Sequence, residues 1–203
     1  MFGKNSTMKS KFQTILWILF LLFGLFSSAQ NKQEREHRIK KTQFPGEALQ
    51  IIAQNNTDFK RLKFYREVDS IKKIYIAKFK KARLFYEMDF NEKGEFTGMG
   101  FAIKPVDIPE ESFKRMTECL SEKFEKSKVR KMFQVYELPQ NEDMETTMKN
   151  AFQNLMIPNM TYELFVKGKK DGVRADFEIT FDSKGNFVHI KNALPPNYDR
   201  VLY

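Results

Sequence analysis

The sequence is poor in the residues on which most catalytic and metal sites depend. Its 203 residues include one cysteine and two histidines, His37 and His189. Nucleophilic catalysis needs a histidine oriented beside a serine, cysteine or threonine, and a zinc site needs several cysteines and histidines at short spacing. His37 lies in a charged segment and His189 lies in a strand pattern, so neither has the neighbours of a catalytic base. We therefore expect no enzyme activity, no metal site and no cofactor.

The single cysteine, Cys119, excludes an internal disulfide. A chain of this size can bury roughly two-thirds of its unfolded surface and does not need one. Cys119 lies between Met116 and Leu120 in a helical pattern of apolar residues, so we expect its thiol to be buried. The composition excludes a small protein held together by disulfides.

The N-terminus carries the apolar run that comes nearest to a membrane segment. This run, residues 15–26, is shorter than the roughly 20 residues that a bilayer-spanning helix needs. Three lysines precede it, and small residues at Ser27 and Ala29 follow it, which is the pattern of a signal peptidase site. We predict that residues 1–29 are a signal peptide cleaved near Ala29 and that the product is periplasmic or secreted, without a transmembrane segment. A permanent N-terminal anchor is the alternative.

The rest of the chain repeats one order of elements. Residues 30–43 are charged and nearly free of large apolar groups, which predicts a mobile N-terminal arm. A helix is predicted over 45–55 and a second one from Ile108-Pro109, each followed by strand patterns. The predicted strands are 61–68, 74–80, 83–90 and 95–103 in the first stretch and 129–137, 161–167, 173–181 and 186–191 in the second. An apolar stripe from Met144 to Leu155 predicts an additional helix, an insertion near 141–157.

A fixed offset of 91 residues relates the two stretches, which is typical of a duplicated unit. The shift places Arg83, Glu87, Phe90, Lys93, Gly94 and Phe96 on Arg174, Glu178, Phe181, Lys184, Gly185 and Phe187. We therefore predict an α+β fold of two similar halves, 44–105 and 106–193, each with a helix packed on an antiparallel sheet. The tail, 194–203, is interpreted as a strap over the sheet or as a docking peptide.

The first half resembles a family of small exported bacterial proteins. The residues that carry the likeness are Phe44-Pro45 with Ala48, then 61–67 (RLKFYRE), 77–80 (AKFK) and 86–90 (YEMDF), ending at Gly94. They are similar to the PepSY-like family of Bacteroidota-type bacteria, also called β-lactamase-inhibitor-protein-like or BLIP-like. The resemblance implies a helix on an antiparallel sheet in each half, a location outside the cytoplasm, and no shared catalytic centre.

The positive charge is concentrated in one stretch. Loss of residues 1–29, which hold three Lys and no acid, lowers the formal net charge from +9 to +6, and residues 60–83 alone hold ten Lys or Arg against two acids. Charged and apolar residues alternate from Arg61 to Tyr65, so we expect the charges to face solvent. The candidate residues for binding an anionic partner are Lys60, Arg61, Lys63, Lys78, Lys80, Lys81 and Arg83. A merely solvated strand face is the alternative, and the predicted export makes nucleic acid an unexpected ligand.

Three functional hypotheses remain. The leading one is an exported periplasmic binding or inhibitory module, without enzyme activity, whose partner is an envelope protein or another anionic envelope component. The alternative is an envelope-surface adaptor that binds anionic lipid or polysaccharide through residues 60–83. The third is a hydrolase, which would require a concave pocket with converging acids.

Overall fold

A computed structural model describes residues 35–68 and 73–193 of the chain. The predicted signal peptide and the tail, 194–203, lie outside the described residues. The strands are β1 Arg35–Ile39, β2 Lys60–Val68, β3 Lys73–Lys81, β4 Leu84–Phe90, β5 Phe96–Ala102, β6 Lys126–Glu137, β7 Thr161–Lys170, β8 Val173–Asp182 and β9 Phe187–Asn192. The α-helices are α1 Gly46–Asn55, α2 Glu110–Lys123 and α3 Met144–Phe152. These bounds confirm each helix and strand predicted from the sequence to within a few residues.

All nine strands belong to one antiparallel sheet, in which the order in space equals the order in sequence. Strand β5 pairs with β6 from Gly98↔Glu137 to Ala102↔Phe133. This pairing joins the two stretches, so the predicted fold of two separate helix-on-sheet halves is wrong. The physical reason is that β5 and β6 would otherwise each present an edge of unpaired backbone N–H and C=O groups.

The hairpins β4–β5 and β8–β9 have the same local geometry although they share one sheet. The Asn91 carboxamide oxygen accepts hydrogen bonds from the backbone N–H groups of Lys93 and Glu95. The Asp182 carboxylate does the same for the backbone groups two and four residues after it. Gly94 and Gly185 complete these turns with φ of +90° and +82°, a conformation that glycine adopts without a steric cost.

Each of these glycines packs against the start of a helix. A Cβ on Gly94 would lie 2.9 Å from the Cβ of Pro45, directly before α1, and a Cβ on Gly185 would lie 2.8 Å from the Cα of Ser112 in the first turn of α2. The turn therefore admits no side chain at either position. These contacts fix the first turn of each helix against a hairpin of the sheet.

The three helices cover one face of the sheet and form the core with it. The buried side chains that they contribute include Ala48, Ile52, Met116, Leu120, Met148 and Ala151. They pack on alternate residues of the strands, such as Met88, Met99 and Ile179, because successive side chains of a strand point to opposite faces. Among residues 35–68 and 73–193, no helix covers the other face of the sheet.

The prediction of a mobile N-terminal arm is wrong for residues 35–39, which form strand β1. It pairs with β2 from Arg35↔Val68 to Ile39↔Phe64. The Glu36 side chain is 0% exposed because the Lys78 ammonium lies 2.8 Å from its carboxylate. A distant cation thus permits the burial of a residue that its own neighbours in sequence would leave in solvent.

Two smaller expectations have mixed outcomes. The additional helix is confirmed as α3, which begins after Asp143, whose carboxylate accepts a hydrogen bond from the backbone N–H of Thr146 at 2.7 Å. Cys119 is only partly buried, because it lies at the border of the apolar stripe of α2. Burial still raises the pKa of its thiol.

Candidate functional site

The uncovered face of the sheet curves around a cleft of about 730 Å³. Residues of β2, β3, β4, β6, β7, β8 and β9 line it, together with the start of β5 and the turn that follows β4. The strand register explains which side chains meet there. Asp89 is opposite Ile76 and Gly98, Gly98 is opposite Glu137, and residues opposite each other point to the same face.

Acidic side chains dominate this cleft, although the chain as a whole is basic. The acids that line it are Glu67, Glu87, Asp89, Glu92, Glu137, Glu163 and Glu178. They come from strands β2, β4, β6, β7 and β8 and from the turn after β4. Alternation along each strand places them on the uncovered face while their neighbours, such as Met88 and Leu164, enter the core.

Some of these acids have a lysine of the protein itself as a partner. The Lys78 ammonium lies 2.8 Å from the carboxylate of Glu87, and the Lys191 ammonium lies 2.7 Å from that of Glu178. The pKa of the Lys191 ammonium is also shifted. Burial lowers it, but the hydrogen bond and the charge of Glu178 outweigh burial, so the pKa is raised. These internal pairs neutralise the two ends of the cleft.

Asp89 and Glu163 differ from the paired acids. Within the described residues, neither side chain has a hydrogen bond or an ion pair. Burial, and then the charges of Glu87 and Glu163, raise the pKa of Asp89 well above its usual range. Burial, and then the charge of Glu178, raises the pKa of Glu163 to about 8. Each carboxyl is crowded by protein while its accessible part faces the cleft.

Apolar side chains line the cleft together with the acids. Gly98 of β5 lies on the uncovered face, where a Cβ would come within 2.8 Å of the Tyr136 carbonyl oxygen. Ile76, Val135 and Phe165 line the cleft beside it. A bound group can therefore contact apolar surface next to the acids.

Lys78 is buried beside Glu87, one of the acids that line the cleft. Its side chain is 7% exposed and lies 2.8 Å from both Glu36 of β1 and Glu87 of β4. Its ammonium also lies 5.1 Å from the centre of the Tyr65 ring. A charge that is buried in this way is held by its partners and is not open to an anionic ligand.

The residues predicted to form one basic face do not share one surface. Lys60, Arg61 and Arg83 are exposed, Lys63 and Lys80 are half-buried, and Lys78 is buried, which corrects the expectation that all of these charges face solvent. Alternation along β3 places Lys81 on the opposite face from Lys78 and Lys80, because successive residues point to opposite faces. Lys81 points to the helix-covered face, where its ammonium lies 4.1 Å from the centre of the Phe152 ring.

Part of the basic set does gather around a shallow depression of about 670 Å³ at the β1 side of the sheet. Lys63 is the predicted residue that lines it. The other basic residues there are Arg38, Lys40 and Lys41, which the sequence places in the charged arm. The binding of an anionic partner through this set stays a prediction.

The acidic cleft itself was missed from the sequence, although signals for it exist. Glu87 and Asp89 alternate with the core residues of β4, and Glu87 and Glu178 are one of the pairs matched at the offset of 91. An acid that alternates with core residues lies on the uncovered face, and the matched pair lies in one cleft. Only the strand order shows that Glu163 joins them.

The described residues contain neither a cluster that could bind a metal ion nor a helix that could span a membrane. In residues 35–68 and 73–193, no cluster of three or more His, Cys, Asp or Glu is arranged to hold a metal ion. No helix in the same part of the chain is long and apolar enough to cross a membrane.

The proteins to which this chain is similar are known from solved structures. No family model and no curated protein matches it. A DUF2874 family protein of Bacteroides ovatus has 12% identity and a TM-score of 0.48, covering 73% of this chain and 87% of its own. A BLIP-like protein of Bacteroides fragilis has 12% identity and a TM-score of 0.48, covering 76% and 90%.

A third solved structure, a protein of Bacteroides eggerthii that is called periplasmic, has 12% identity and a TM-score of 0.48, covering 73% of this chain and 88% of its own. BLIP-like is also the class that the residues of the first half resemble. The PepSY-like relation and export of this chain stay predictions.

Proposed function

We propose that this chain is an exported periplasmic module that binds a partner in the carboxylate-lined cleft and catalyses no reaction. The observation that carries the proposal is the division of the sheet into a helix-covered face and a face that holds a cleft of about 730 Å³. This volume falls within the range of ordinary ligand sites, roughly 300–1,000 Å³. The signal-peptide pattern of residues 1–29 supports the location.

The chemistry of the cleft also supports binding. Burying a carboxyl group without a partner costs folding free energy, and Asp89 and Glu163 are two such groups in one cleft. Groups with strongly shifted pKa values are concentrated at functional sites. A partner that enters the cleft would supply the contacts that these carboxyls lack.

A blocking substitution with a matched control tests the proposal. Thr97 is exposed and lines the cleft, whereas Thr117 is exposed on α2. The immobilised protein is incubated with an envelope extract of the source organism, and each captured protein is purified and titrated against the variants. We expect saturable binding that Thr97→Trp abolishes and Thr117→Trp preserves. No saturable partner, or equal binding by both variants, would contradict the proposal.

Hydrolysis is the competing outcome, because the cleft does contain converging acids. A glycoside hydrolase uses one protonated and one ionised carboxyl group. Here the pKa is raised for both Asp89 and Glu163, and lysines pair with Glu87 and Glu178. This arrangement favours binding. Turnover of the captured partner by the wild type and not by Glu163→Gln would establish an enzyme instead.

The basic depression at the β1 side favours a second candidate, the envelope-surface adaptor. Arg38, Lys40, Lys41 and Lys63 line it, and clustered cations attract anionic headgroups. Sedimentation with vesicles of phosphatidylglycerol and phosphatidylcholine tests it. The adaptor predicts salt-sensitive binding that Lys40→Gln/Lys41→Gln weakens and Thr97→Trp does not change.

A further inference from the structure

We propose that the cleft seats one lysine or arginine side chain of a protein partner, with its cationic group between Asp89 and Glu163. This inference rests on the binding role proposed above and adds to it the chemistry of the partner. The partner is taken to present the cation on an extended segment with apolar neighbours.

The charges of the cleft indicate where a cation is missing. Lys78 and Lys191 are in ion pairs with Glu87 and Glu178. No lysine or arginine among the described residues forms an ion pair with Asp89 or Glu163. These two carboxyls are electrostatically coupled, since the charge of Glu163 is one of the causes that raise the pKa of Asp89. An added cation would stabilise both in the ionised form.

The apolar surface of the cleft selects a peptide over a small free cation. Ile74, Ile76, Val135 and Phe165 line the same cleft as the two carboxyls. Alternate residues of an extended peptide point to one side, so a lysine flanked two positions away by valines presents one charge and two apolar groups together. The aliphatic part of a bound lysine would pack against these apolar side chains.

Proton release on binding distinguishes this specific cation site from general electrostatic attraction to an acidic surface. The pKa of Glu163 is about 8, so its carboxyl is about one-tenth ionised at pH 7 and about nine-tenths ionised at pH 9. A cation binds the ionised form, and the ammonium of lysine keeps its proton up to about pH 10. Affinity therefore rises with pH. The other charged groups that face the two carboxyls are Glu67, Lys78, Glu87, Glu137, Glu178 and Lys191.

The test uses the full mature chain and three probes in isothermal titration calorimetry. The first is the peptide Ac-Val-Thr-Lys-Thr-Val-amide, the second is the same peptide with N-acetyllysine, and the third is spermidine. The variants are Asp89→Asn/Glu163→Gln and, as a control with the same two types of replacement at exposed positions, Glu118→Gln/Asp171→Asn. Both control positions are exposed, one on α2 and one in the turn between β7 and β8.

We expect the lysine peptide to bind at least about tenfold more tightly than the acetyllysine peptide, as a charge-assisted hydrogen bond implies. The cleft variant loses this difference and the control keeps it. For the wild type, affinity rises about tenfold from pH 7 to pH 9, with proton release in buffers of different ionisation enthalpy, whereas the cleft variant has a flat profile.

Three results would overturn the inference. They are equal binding of both peptides, equal affinity of the wild type and the cleft variant for the lysine peptide, and a cleft that binds spermidine but neither peptide. The broader proposal has its own criterion. An envelope partner whose binding is lost in Thr97→Trp and retained in Asp89→Asn/Glu163→Gln would refute the cation seat and leave the binding module standing.

Discussion

Replacing Lys78 by methionine should destabilise the protein strongly, because it removes the one cation that lies between two acids. Lys78 is 7% exposed and lies 2.8 Å from both Glu36 and Glu87. Methionine has a similar length and keeps the packing, but the 0% exposed carboxylate of Glu36 then lacks this cation. Removing one partner of a buried ion pair typically costs about 3–5 kcal/mol.

The size of the effect can be measured by thermal and urea unfolding followed by circular dichroism at pH 7. For a protein of this size, 1 kcal/mol corresponds to a change in Tm of about 2–4 °C, so we expect Lys78→Met to lower Tm by about 6–20 °C. Lys80→Met is the matched control on the same strand. Lys80 is half-buried with its ammonium 5.5 Å from the centre of the Phe85 ring, an interaction worth about 1 kcal/mol or less.

A second substitution separates charge from packing. Glu36→Gln in the Lys78→Met background removes the buried charge that has lost the Lys78 ammonium, so it should restore part of the lost stability. In the wild-type background the same change should be destabilising, because it removes an ion pair. A cost of Lys78→Met no greater than that of Lys80→Met, or no recovery in the double variant, would refute the role given to this ion pair.

Three further outcomes are expected from the described geometry. Because the pKa of Glu163 is about 8 in the folded protein against 4.5 for the free side chain, folding loses stability as pH rises from about 4.5 to 8, so Glu163→Gln should raise Tm at pH 8 and leave it unchanged at pH 4. Gly185→Ala should cost more in urea unfolding than Gly172→Ala: both have positive φ, but only Gly185 meets backbone, that of Ser112. Equal costs would mean that the contact is unimportant. Asp143→Ala should lower stability through loss of the cap of α3, and amide exchange confined to the first turn of that helix would locate the effect.

Local elements were predictable because their determinants are local. The turn formed by Asn91 and Gly94 and the alternation of Glu87, Met88 and Asp89 specify strands with few residues. The apolar stripe of α2 likewise specifies a helix. Such patterns do not contain the partner of each strand, and for this reason the pairing of β5 with β6 was missed.

The site was less predictable than the fold because it depends on distant groups. Glu36 lies in a charged segment with few apolar residues, and the cation of Lys78, distant in sequence, favours its burial. Lys78 was counted among solvent-facing charges for the same reason. Glu163 is the one acid of β7, and burial together with the charges of Glu178, Glu87 and Glu137 on other strands raises its pKa, which is therefore a property of the assembled face and not of its sequence context.

The agreement between the order of the strands in space and along the chain has a consequence for how the protein is made. Each strand has to find only its predecessor, so the growing sheet can be extended one ribbon at a time from the N-terminal end, as a polypeptide emerges from a ribosome or a translocation pore. At every stage the newest strand is the template for the next. If synthesis or translocation pauses, the backbone groups of that newest strand stay unpaired. How long they stay unpaired then depends on the lengths of the three connections that contain a helix.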